Sequence, residues 1–154
     1  MTPQKLGEAV VLELKTVFSN MDFKAADGGL ASMNVFLHNI PEKTSKQDPY
    51  HCPHLIVHVG EISDDGEKRI CDIAISNIMY CDDPDFQGEA DVLHVLEMIY
   101  QHLCRKGAIE KYIHEYPIDY SVEDGVLNAP YFLGMLQTSY QIPRITKDDH
   151  EQFL

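Results

Sequence analysis

A chain of 154 residues and 17.5 kDa is long enough to bury one substantial core, and a hydrophobic content of 44% is that of an ordinary globular domain. Twelve Lys and Arg against 25 Asp and Glu leave a formal net charge of −13, which repels polyanions and argues against nucleic-acid binding through phosphate contacts. No apolar run approaches the roughly twenty residues that span a bilayer, so no membrane partner is expected.

The start, Met1-Thr2-Pro3-Gln4-Lys5, has neither the basic opening nor the apolar block of a secretory signal. The chain is therefore expected to stay in a cytoplasm, with reduced thiols. Cys52, Cys71, Cys81 and Cys104 form no CxxC pair, and two of them fall in predicted regular elements as ordinary small hydrophobes.

The first element is a helix: Thr2 caps it, Pro3 suits its first position, and Leu6, Val10, Leu14 and Val17 recur at helical spacing until near Asn20. Met21 to Leu30 contains Asp27-Gly28-Gly29 and no clear period, so it reads as a turn or connection. Alternation predicts a first strand at Met33, Val35 and Leu37 and a second at Leu55, Val57 and Val59, separated by the polar loop Pro41 to Pro53. Asp64-Asp65-Gly66 is a hairpin turn, in which glycine accepts the positive φ that other residues resist. The strand Arg69 to Tyr80 then pairs antiparallel with the second, with Cys71, Ile73, Ile75 and Met79 on its core face.

The run Cys81-Asp82-Asp83-Pro84-Asp85 cannot continue a ladder, because proline lacks the amide donor and acids favour caps and turns. From Gly88 the period becomes helical: Val92, Leu96, Ile99 and Leu103 form a stripe, widened by Leu93 and Tyr100, opposite His94, Glu97, Gln101 and Arg105. Asp82, Asp83, Asp85, Glu89 and Asp91 suit the positive end of that helix, and Lys106-Gly107 its close. Ala108 to Pro117 reads as extended and Val122 to Asn128 as a loop. Tyr131 to Ile142, bracketed by Pro130 and Pro143, reads as a final strand. Residues 1–143 thus form one α+β domain, a mostly antiparallel sheet packed by two helices in the order α-β-β-β-α-β-β, and 144–154 a charged C-terminal extension.

Eight histidines are many for this length, and His38, His54 and His58 are even-numbered positions that share one sheet surface if the registers agree. A structural zinc needs four ligands in a closed tetrahedron, and neither His51-Cys52-Pro53-His54 nor the His94/Glu97 helix turn has a matching second pair. No GxSxG, HExxH, P-loop or dinucleotide-binding glycine pattern occurs, so no catalytic residue and no cofactor is assigned. Cys104, beside Arg105 and Lys106, reads as helix filler, and the acids from Asp82 to Asp91 lack the ligand order of a calcium loop.

Three segments carry a resemblance: the strand pair Leu55–Glu61 and Ile70–Tyr80, the helix opening Asp85-Phe86-Gln87-Gly88-Glu89-Ala90-Asp91-Val92-Leu93, and Pro130-Tyr131-Phe132-Leu133-Gly134-Met135-Leu136-Gln137-Thr138-Ser139-Tyr140-Gln141-Ile142-Pro143. With them, residues 54–143 resemble the tailed-bacteriophage tail terminator or tail completion proteins of the neck. The histidine-bearing loop before Leu55 departs from that family.

The resemblance implies a tail-terminator-like fold in a structural, non-enzymatic virion protein that is assembled in the host cytoplasm and sits at the head-tail joint. Its homo-oligomer is a ring, sixfold in the family, that ends the tail tube and meets the head connector. Its partners are then copies of itself, the tail tube protein and a head-completion or connector protein, with DNA passing through unbound. On this reading Asp64, Asp65, Asp82, Asp83, Asp85 and Glu89 are the expected lumen-facing acids, repelling the genome. Tyr131, Leu133, Met135 and Gln137 are the expected subunit-interface strand, taken as an edge with unpaired backbone groups. Two readings of other classes stand beside it: a small metal-binding enzyme using His38, His54 and His58, and a free cytoplasmic adaptor.

Overall fold

The structure, a computed structural model, describes residues 2–25, 29–39, 52–82, 88–123 and 130–144. Helix α1 (Pro3–Val17) begins as expected: the Thr2 hydroxyl accepts the Lys5 amide at 3.2 Å, and Pro3 stands in the first turn, where a missing N–H costs nothing. It ends at Phe18, whose ring is buried. The segment after it is not a plain connection but a hairpin of β1 (Asp22–Lys24) and β2 (Leu30–Ser32), three-residue strands too short for alternation to show.

Six further strands form one sheet: β3 (Asn34–Leu37), β4 (His54–Asp64), β5 (Arg69–Tyr80), β6 (Ala108–Ile109), β7 (Tyr112–Val122) and β8 (Tyr131–Ile142). Their order is β3-β4-β5-β8-β7-β6, antiparallel throughout except for the parallel β3–β4 pair. The α+β class and the mostly antiparallel sheet agree with the sequence; the strand count exceeds it. Between β4 and β5, Gly66 takes φ 95° while the Asp64 carboxylate accepts its amide and Asp65 accepts those of Glu67 and Lys68. The extended segment expected at 108–117 divides at Glu110, whose φ of 54° turns β6 back as β7. That strand then runs to Val122, where a loop was expected to begin.

Helix α2 (Gly88–Lys106) and α1 lie on the same face of the sheet, α1 over β3 and β4, α2 over β5, β8 and β7. One apolar cluster joins them: Leu6, Val10 and Leu14 from α1, Val92, Leu96, Ile99 and Leu103 from α2, and Leu55, Val57, Cys71, Ile73, Ile75, Phe132, Leu136 and Tyr140 from the sheet. Each such side chain contributes about 1.5–3 kcal/mol by leaving water. Leu93, expected to widen the α2 stripe, is 50% exposed, and Val95 is buried in its stead.

The expectation that Tyr131–Ile142 is an edge is overturned. β8 pairs with β5 from Tyr80–Tyr131 to Arg69–Ile142, and on its other side with β7 from Gly134 to Gln141. The flanking prolines stand beyond the ladder and interrupt none of it. Met135 and Gln137 therefore lie between two strands, and the Leu133 carbonyl accepts the Glu123 amide, so these positions present side chains rather than an open strand edge. Residues 145–154 of the expected extension lie outside the described residues, but Arg144 is held, its Nε 3.2 Å from Asp64 Oδ1.

Candidate functional site

Because strand residues alternate, the positions between core residues build the second face of the sheet, which among the described residues no helix covers. One row crosses it from His58 through Ala74 and Gln137 to Asp119. A groove of about 310 Å³ follows this row, lined by Gly60, Glu61, Asp72, Ala74, Asp119, Gln137 and Ser139 among others. A second hollow of about 190 Å³ shares Asp119 and Gln137 with it and reaches Ser121 and Met135.

The hollow has a local cause. On β4 three steps, Val59 to Ile62, answer two on β5, Ile73 to Cys71; on β7 four steps, Glu115 to Asp119, answer two on β8, Ser139 to Gln137. Extra residues of this kind bend a strand and sharpen its twist, so the face curls between two bulges.

Glu61, Asp72 and Asp119 are exposed here, and among the described residues none of the three is in an ion pair. Asp72 accepts a 2.7 Å hydrogen bond from the Ser139 hydroxyl. The groove offers negative potential and acceptors on a shallow, open surface. Sequence reasoning missed this set, since the three acids come from three strands whose spatial order alternation does not encode. The one signal was Asp72, an acid set between the apolar residues Cys71 and Ile73.

The acids expected to line a lumen are placed differently. Asp64 and Asp65 stand at the β4–β5 turn, whereas Asp82 and Glu89 stand beyond the other end of β5; Asp83 and Asp85 lie outside the described residues. Twelve residues of β5 at about 3.3 Å each separate the two pairs by roughly 40 Å, so they are no single cluster. Asp64 accepts the Gly66 amide and pairs with Arg144, which hold its carboxyl below the usual value. Asp65 is likewise lowered by the Lys68 and Glu67 amides, and Asp82 by Lys24, with which it forms an ion pair.

The histidine surface expected at 38, 54 and 58 does not assemble. His54 is buried, its ring 6.1 Å from that of Phe36 and its carbonyl accepting Asn77 Nδ2 at 3.0 Å. His58 lies four residues along β4, about 13 Å away. His38 stands next to His58 but leaves the strand with φ 69°, and its Nε2 lies 3.0 Å from Gln4 Oε1 of α1. Burial and the neighbouring His38 both push the His58 pKa down. Even numbering assumed that β3 continues through His38; the positive φ breaks that alternation. Among the described residues no three His, Cys, Asp or Glu are placed to hold a metal; His51 lies outside them.

No protein-family model matches the chain, and no curated protein matches it significantly.

Proposed function

We propose that the chain is a structural protomer of the tailed-phage neck, assembling into a ring that ends the tail tube and joins it to the head connector, with its uncovered sheet face turned to the lumen. That face carries the proposal: both helices lie behind the sheet, and the front presents Glu61, Asp72 and Asp119 with no paired cation among the described residues. A channel wall of this kind repels DNA phosphates and lets a genome slide past. The ring itself comes from the resemblance of residues 54–143. In such a ring the mid-sheet acids form the wall, while Asp64 with Asp65 and Asp82 with Glu89 lie toward its two mouths.

Electron micrographs of the purified protein mixed with tail tube protein test this. The expected result is tubes closed at one end by a ring with an axial opening. Open tube ends, together with a monomer in light scattering, would overturn the proposal in favour of a free adaptor.

A further inference from the structure

Each outer strand of the sheet is covered along only part of its length. β3 pairs with β4 from His54 to Val57, and β6 pairs with β7 at Tyr112 and Ile113. Among the described residues, Val59–Asp64 and Ile118–Val122 therefore have no strand on their outer sides. The Val57 carbonyl accepts the His38 amide on the β3 side, so alternation aims the backbone groups of Val59 outward and, past the bulge, those of Ile62 and Asp64. On β7 the Glu123 amide donates inward to the Leu133 carbonyl, so Val122, Tyr120 and Ile118 aim outward. Such edges are templates for pairing with another chain.

We infer that the β7 edge of one copy pairs antiparallel with the β4 edge of the next, Val122 opposite Val59, Tyr120 opposite Ile62 and Ile118 opposite Asp64; this rests on the ring proposed above. β4 and β7 run in opposite directions within one sheet, so copies related by rotation meet with these strands antiparallel. The side chains agree. Val122 and Tyr120 meet Val59 and Ile62 in apolar cross-strand pairs, and the 42% exposed Ile62 is covered. On the uncovered face Ser121 falls beside Gly60 and Glu61, and Asp119 beside Ser63, so no acid opposes an acid.

The offset also suits closure. Val122 lies in the row of Gly134 and Asn77, and Val59 in the row of Ile73, so the join shifts successive copies by four residues along β5. That is about 13 Å of rise across four strands that span about 19 Å, equivalent to strands tilted roughly 35° from the ring axis, within reach of the tilt a closed sheet requires.

A disulfide tests the join, because Ser63 and Asp119 are exposed and fall opposite each other in a pair without mutual backbone bonds, where Cα atoms approach closely enough for a bridge. The native thiols Cys52, Cys71 and Cys81 are buried and Cys104 is half-buried, so oxidised wild type sets the background. The variant carrying both Ser63→Cys and Asp119→Cys should shift from a monomer band to a ladder of covalent multimers on mild oxidation, and neither single variant should. Dimers from a single variant would mean symmetric pairing and overturn the inference. Rings in micrographs without cross-links overturn this interface and leave the ring; neither rings nor cross-links overturn both. Ile62→Lys, a change at an exposed side chain, should abolish rings with melting temperature unchanged, and rings that persist would also sink the join.

Discussion

A Cβ placed on Gly134 of β8 would lie 2.6 Å from Val92 Cγ1 of α2, with Leu96 Cδ1 at 2.9 Å and the Ser121 carbonyl oxygen at 3.0 Å. The helix descends onto the sheet where the strand has no side chain, and that contact sets how closely α2 backs the uncovered face. Gly134→Ala must push α2 or β7 outward. The expected cost is about 1–3 kcal/mol, by the rule for overpacked cores. Calorimetry should register a fall of roughly 2–4 °C in Tm for each kcal/mol. An unchanged Tm would show that α2 is free to rise.

The two helices are joined by Glu13 of α1, whose Oε1 lies 2.7 Å from Lys106 Nζ and 2.6 Å from His102 Nε2 of α2. Burial opposes ionisation of this carboxyl, but hydrogen bonds and charge from Lys106 and His102 outweigh it, so its pKa sits below the ordinary value of 4.5. A depressed folded-state pKa means stability that is fully present above the unfolded value and is lost as pH falls through the folded one. Glu13→Gln is expected to cost about 1 kcal/mol or less at neutral pH, since Lys106 is half exposed to solvent. Urea titrations should show the difference from wild type vanishing in acid; a gap that persists there would assign the loss to packing instead.

His114 of β7 is buried, its Nε2 2.6 Å from the Thr138 hydroxyl and its ring 5.3 Å from that of Tyr140. Burial pushes its pKa below 6.5, with Glu115 pulling part of the way back. As pH falls below the unfolded value the unfolded chain takes the proton first, so stability declines with acidity until the folded pKa is passed. His114→Phe keeps a ring against Tyr140 and removes the titration. Its Tm should change less than that of wild type across the interval just below pH 6.5, and parallel profiles would show that His114 charges without penalty.

What the sequence disclosed follows the reach of each signal. The alternation of Cys71, Ile73 and Ile75, the helical stripe Val92, Leu96, Ile99 and Leu103, and the Asp-Asp-Gly turn are local, and each element formed as its pattern required. Sheet order is not local: nothing in Tyr131–Ile142 says that β7 will lie on its far side, so a long apolar strand was misread as an edge. Short strands such as β6 and the β1–β2 hairpin hold too few residues to show a period. The acidic groove needed both kinds of knowledge, since Glu61, Asp72 and Asp119 meet only through registers that two bulges displace.

Charge reversal on that face separates a channel wall from an outer wall. Changing Glu61, Asp72 and Asp119 to Lys moves the formal charge from −13 by six, to −7, still net negative, so any DNA binding that appears must come from the local field. Wild-type ring is expected to leave duplex DNA unretarded in low-salt electrophoresis. The triple variant should retard it, with a log K against log salt slope steeper by about 0.9 for each phosphate that the new lysines neutralise. Reversing Glu8, Asp22 and Glu110, exposed acids on α1, β1 and the β6–β7 turn, makes the same net change away from the groove. If both triple variants bind DNA equally, the groove does not face the passage; binding confined to the first, and lost as salt rises, places Asp72 and its neighbours along the path of the genome.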